Sequence, residues 1–320
     1  MILICDRKTQ KTVIYVVLWW SATVICTTTT TTTLRQGSSN LLVALLQIVM
    51  SAAAGFVMSS SRRIESEIVP EGLGSEDARM SQIWSNALPL ACGFSHAIAT
   101  ICTNCSFLYT NPALTHAVKT SEPFFTLLLQ WAINGEKPTA KISFSIGLII
   151  IGLLMLTYNQ VEDYSGVYFA VFSNLALSVR NVCVSLLTNH SPLSAARVFR
   201  NMSGFATLVC LCVLSFQFFS RRRERHPFVM SSHSLIVSSA LSFFVYNYCS
   251  TFILSLCSLE LYAVLNLLRR VIAIGLSLVI YRSNVSGSVS IIGLFCTATG
   301  LIMYELCRVY TSQTRSARVR

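Results

Sequence analysis

Charged side chains are scarce: Asp, Glu, Lys and Arg make up 12% of the 320 residues, against about a quarter in an ordinary soluble domain. Acids are the rarer kind, 13 against 24 Lys and Arg. The 12 cysteines show no metal-ligand spacing and mostly lie in apolar runs, so neither a metal site nor a disulfide framework is expected. Paired aspartates and multi-histidine patterns are absent as well, and with them the acid–base and nucleophilic machinery of an intramembrane enzyme. The chain is expected to be no enzyme and to use no cofactor. Nor is a nucleic-acid partner expected.

What the sequence has in quantity is apolar surface, 53% hydrophobic residues with a mean hydropathy of +0.61. Spanning about 30 Å of hydrocarbon as a helix takes roughly 20 apolar residues. Ten runs meet that length, near 12–34, 39–60, 82–106, 111–134, 141–158, 165–187, 198–219, 232–257, 259–282 and 287–308. They lack the alternation of a barrel wall, so the expected fold is an all-α, multi-pass membrane protein of ten helices. The mixed-charge stretch 61–80 reads as a solvated cytosolic connector. With a cytosolic N-terminus, 14 basic residues fall on the cytosolic side and 6 on the other, which places both termini in the cytosol. The basic run "RRRER" at 221–225 is the exception. No long Ser- and Arg-rich, acid-poor extension precedes the first span, so the expected address is a Golgi or other secretory-pathway membrane.

Sliding the chain against itself by 146 positions aligns 117–158 with 263–304 without a gap: "AV" meets "AV", "IGL" at 146–148 meets "IGL" at 292–294, and Tyr158 meets Tyr304. Two five-helix halves, 1–160 and 161–320, are expected, and an odd number of helices per half inverts the second copy. Inverted repeats build secondary transporters with the substrate site near the midplane where the halves meet.

Four basic residues lie within spans: Lys119, Arg180, Arg269 and Arg270. At about 3 kcal/mol each on an insertion scale they are costly, which marks them as functional. Glu122 is the clearly placed acid. It lies three positions from Lys119 on one helical face, so the two are expected to pair. The remaining cations call for an anion, and a phosphoryl group suits arginine's fork best. Arg180 with Asn181 reads equally well as helix–helix glue. Arg269 and Arg270 point about 100° apart, so a single one of them need reach the ligand. His116 reads as an orienting or structural histidine. The seven threonines at 27–33 read mainly as low-complexity sequence ending the first helix, their hydroxyls bonded back within it.

"THAVKTSEPFF" at 115–125, "RNV" at 180–182, "YNYCST" at 246–251 and "YAVLNLLRRVIAIGLSLVIY" at 262–281 together resemble the triose-phosphate/phosphate translocator family of the drug/metabolite transporter superfamily. The resemblance implies ten helices in two inverted halves and strict exchange by alternating access. It implies that Lys119, Arg269, Arg270 and Thr103 hold phosphate, and that Thr100 and Tyr246 meet the organic part of the substrate. Plastid members carry histidine where this chain has Thr100 and lysine where it has Arg269. Two substrate classes stay open: a sugar phosphate against phosphate, and a nucleotide sugar against a nucleoside monophosphate. The alternative function is a non-transporting scaffold or regulator on the same fold. The expected partners are a phosphorylated small molecule and the bilayer, with a homodimer allowed but not required.

Overall fold

A computed structural model describes residues 7–61, 75–135, 139–157, 164–190, 195–220, 233–256, 259–280 and 288–319. They form α1 (Arg7–Arg35), α2 (Asn40–Ser61), α3 (Ser75–Tyr109), α4 (Pro112–Lys119), α5 (Glu122–Asn134), α6 (Ala140–Thr157), α7 (Ser165–His190), α8 (Ala195–Ser220), α9 (His233–Leu256), α10 (Leu259–Ile280) and α11 (Ser288–Val319). Strands are absent among the described residues. Each expected span is present as a helix, with the fourth divided into α4 and α5. Five helical stretches among the described residues are long and apolar enough to cross a membrane, and Ala140–Met155 and Ile291–Cys307 are shorter apolar helices.

The connector expected at 61–80 is shorter than its composition suggests, because Ser61 closes α2 and residues 75–80 already belong to α3. The stretch "SEDARM" is polar but contains the good helix formers Glu, Ala, Arg and Met, so its composition suits a helix. Residues 62–74, the basic run 221–225 and the boundary between the halves at 160/161 lie outside the described residues.

The helices pair in a pattern that the repeat makes intelligible. Taking α4 and α5 together as the fourth span, α3 lies along α7 and α1 along α9; α3 also meets α8, and α2 also meets α9. Replacing each span by the one five places later maps these contacts onto one another. The contacts of α2 with α8, α4 with α10 and α6 with α11 map onto themselves. Close approach in the last of these depends on two glycines. A Cβ on Gly152 would lie 2.5 Å from the backbone nitrogen of Thr297, and one on Gly300 would lie 2.9 Å from that of Ile149.

The outer surface is apolar, unlike that of a soluble bundle. Phe216, Phe218, Phe219, Val279 and Phe295 are exposed on the outer surface, where hydrocarbon would meet them. Among the fully buried groups are Gln47, Thr30, Ser173, Asn174, Ser178 and Ser239. Polar groups sheltered from lipid must find one another, and in doing so they build the site.

Candidate functional site

The break between α4 and α5 organises the centre of the molecule. Asn111 caps α4, its side chain accepting from the Ala113 N–H at 3.0 Å, with Pro112 at the first helical position, where no N–H is missed. Eleven residues on, Pro123 again has no N–H to give, which frees the carbonyl four positions earlier, that of Lys119. The chain tightens here, with Thr120 N–H on the Ala117 carbonyl at 2.9 Å and Ser121 N–H on that of Val118 at 3.1 Å. Three carbonyls at the break are then served by other helices. Arg270 Nη1 of α10 donates to that of Lys119, Asn174 Nδ2 of α7 to that of Val118 at 2.9 Å, and the Ser178 hydroxyl to that of Glu122 at 3.3 Å.

Arg270 is buried, and its second Nη forms an ion pair with Glu122 Oε2. The other carboxylate oxygen accepts from Asn181 Nδ2 at 2.5 Å. Asn181 in turn accepts on Oδ1 from Arg180, at 3.2 Å from Nε and 2.9 Å from Nη2. Arg180 Nη1 reaches His96 Nδ1 on α3 at 3.4 Å. Seven residues along α3, the Thr103 hydroxyl accepts from Lys119 Nζ at 2.6 Å and bonds Ser173 Oγ at 2.7 Å. The contacts close into a ring: Thr103, Lys119, Arg270, Glu122, Asn181, Arg180, His96, and back along α3.

Two of the expectations change here. Glu122 pairs with Arg270 instead of Lys119, because the helix is interrupted between positions 119 and 122 and the i,i+3 register does not carry across. Arg270, expected on phosphate beside Arg269, has its two Nη atoms on Glu122 and on the Lys119 carbonyl. Arg269 points elsewhere on α10, donating to Asn266 Oδ1 at 3.2 and 2.8 Å with its guanidinium carbon 5.0 Å from the centre of the Trp19 ring.

The remaining residues are placed as follows. The Thr100 hydroxyl is bonded back to the His96 carbonyl at 2.9 Å. Tyr246 is half-buried with its ring edge-on to Phe243 at 5.4 Å. His116 sits 3.1 Å from the Thr27 hydroxyl through Nε2, its ring 5.7 Å from that of Phe107. The threonine run closes α1, which ends at Arg35, and its members are not all spectators. Thr30 bonds Ser239 at 2.8 Å, Gln47 Nε2 donates to both at 2.9 and 2.8 Å, and Asn104 donates to Gln47 Oε1 at 3.2 Å. That cluster ties α1, α2, α3 and α9 together.

Chemically, the ring holds cations in two conditions. Arg270 is neutralised. Lys119 and Arg180 bond uncharged groups alone among the described residues: Thr103 for the first, Asn181 and His96 for the second. Such charges at membrane depth favour an anion arriving between them. Among the described residues no cluster of His, Cys, Asp and Glu could hold a metal ion.

The Triose-phosphate Transporter family model matches residues 10–305. The chain is 29% identical over 227 residues to the chloroplastic phosphoenolpyruvate/phosphate translocator 3 of Oryza sativa subsp. japonica, a match covering 68% of this chain and 56% of that protein. It is 24% identical over 227 residues to the chloroplastic triose phosphate/phosphate translocator of Flaveria trinervia, covering 68% and 54% respectively. The chain thus spans about half the length of the curated relatives it matches. A solved crystal structure of a protein 14% identical in sequence superposes with a TM-score of 0.55, covering 92% of this chain and 98% of the other, a likeness of fold alone.

Proposed function

The chain belongs to the Triose-phosphate Transporter family, and from that premise we propose that it is a secondary-active antiporter exchanging a phosphorylated metabolite for inorganic phosphate by alternating access. The observation that carries the reading is the condition of Lys119 and Arg180, two cations within spans held by neutral groups beside an arginine already paired with Glu122. Lys119 and Thr103 take the phosphate, with Arg269 as the further cation of the site, and Thr100 and Tyr246 lie toward the organic part. Arg270 acts at one remove, fixing the break that presents Lys119. The halves 1–160 and 161–320 are the two bodies that rock about this site, a division supported by the helix pairing that exchanges spans five places apart.

The relatives named above are called phosphate translocators of phosphoenolpyruvate and of triose phosphate, which favours a small phosphorylated substrate. A nucleotide sugar draws no support from them, and neither does a Golgi membrane, since both relatives are described as chloroplastic. The cytosolic termini and the homodimer rest on the sequence reading alone.

Purified protein reconstituted in liposomes loaded with phosphate tests the proposal. Labelled phosphate should enter only against an internal exchangeable anion, and competition by triose phosphate, phosphoenolpyruvate, hexose phosphates and a nucleotide sugar ranks the substrates. Absence of exchange with every one of these anions would overturn it and leave a scaffold or regulator on this fold.

A further inference from the structure

Asn181 on α7 stands between two opposite charges, and they define which end of its amide is which. A carboxylate can only accept, so the NH2 group faces Glu122 Oε1 at 2.5 Å. A guanidinium can only donate, so the amide oxygen faces Arg180, at 3.2 Å from Nε and 2.9 Å from Nη2. One uncharged side chain thus satisfies an anion and a cation at once, from two different atoms.

Without that amide the two charges would meet. Glu122 gives one oxygen to Arg270, and its other oxygen, bared, would be an open acceptor beside Arg180. At membrane depth, where the dielectric is low, attraction between a carboxylate and a guanidinium outweighs a bond from either to a neutral amide. An arginine paired in that way is committed, as Arg270 is, and an arriving anion would have to displace a carboxylate to reach it. Held by the amide, Arg180 spends Nε, one hydrogen of Nη2 and, toward His96, one of Nη1. One N–H on each Nη then has no partner among the described residues.

We propose that Asn181 is a positioning residue that keeps Arg180 from pairing with Glu122 and so leaves the guanidinium to the transported anion. It rests on the exchanger reading for the anion that Arg180 meets. Arg180 and Asn181 then have a joint role, the first to meet the anion and the second to stop the protein's own carboxylate from taking its place.

The test is a mutant cycle between positions 180 and 181 in the full chain. It is read by the phosphate concentration for half-maximal exchange in liposomes and by thermal stabilisation of the purified protein with inorganic phosphate. Asn181→Ala should raise both half-effective concentrations by about tenfold, the effect of losing one hydrogen bond to a charged group. It should melt close to wild type, because Arg180 and Glu122 then hold each other. Asn181→Ser, whose single short hydroxyl cannot reach both charges, should behave in the same way. Arg180→Gln should weaken phosphate by a similar factor, and adding Asn181→Ala to it should change nothing further, since Asn181 acts through Arg180. Half-effective concentrations unchanged in both position-181 variants would overturn the proposal, and so would single effects that multiply in the double variant. Loss of folding in both position-181 variants would overturn it too, making Asn181 a packing residue. If the wild type exchanges no phosphate yet is stabilised by it with the same pattern across the cycle, the exchanger reading fails and the role of Asn181 stands. A wild type that neither exchanges phosphate nor is stabilised by it overturns both.

Discussion

Arg270 on α10 and Lys119 on α4 are neighbours in one ring of contacts, joined through the Lys119 carbonyl, yet their surroundings differ in kind. Arg270 is buried against a carboxylate and a carbonyl, and Asn181 takes up the remaining carboxylate oxygen. Lys119 is half-buried and donates to one hydroxyl. A cation so completely matched is architecture, since replacing its partners with a ligand would orphan Glu122. A cation with one neutral partner exchanges that partner for an anion's oxygen at little loss. On the proposed function, the difference separates the residue that shapes the site from the residue that uses it.

The strongest way to break this comparison is Arg270→Ala. It leaves Glu122 without its ion pair and the Lys119 carbonyl without a donor, a loss expected at about 3–5 kcal/mol. Thermal unfolding in detergent should show it. The double variant Arg270→Leu with Glu122→Leu should melt above Arg270→Ala, because no buried charge is then abandoned. A double variant as unstable as the single one would mean that the pair does not account for the loss.

Asn174→Ala tests the other support of the break. The carbonyl of Val118 and the hydroxyl of Ser121 lose their donor from α7, and about 1–3 kcal/mol should go with it. Asn174→Asp keeps the shape but exchanges donor for acceptor, and it should be at least as damaging. Thr103→Val is milder. It removes the hydroxyl to which Lys119 and Ser173 are bonded, so stability should fall by about 1 kcal/mol and the concentration of phosphate needed for half-maximal exchange should rise. A change in maximal rate with no change in that concentration would remove Thr103 from the phosphate end.

The helical framework was legible because each span is a long apolar run bounded by polar residues, and the helices follow those runs closely. The connector at 75–80 was not, since polarity alone points to loop while the residues themselves favour helix. The charged residues were found by their cost at membrane depth; their pairing was not, because an i,i+3 rule presumes an unbroken helix and Pro123 breaks it. Some of what was missed had a signal. Asn174, Ser178 and Asn181 stand at i, i+4 and i+7 of α7, and these three side chains serve the break. A polar stripe at helical period within an apolar span points at something needing donors. Thr27 and Thr30 had none, being lost in a run of identical neighbours whose roles depend on which side of α1 meets α9 and α4.

The central claim is that Lys119 is held for a ligand and not for the fold. The measurement that tests it most directly is phosphate counterflow by Lys119→Met, which keeps the bulk of the side chain and removes the charge, alongside the unfolding temperature of the same preparation. The account predicts a variant that melts near wild type, within about 1 kcal/mol for one lost bond to a neutral hydroxyl, and exchanges about a hundredfold more slowly for want of its bonds to phosphate. Exchange within about twofold of wild type, with the fold intact, would contradict it.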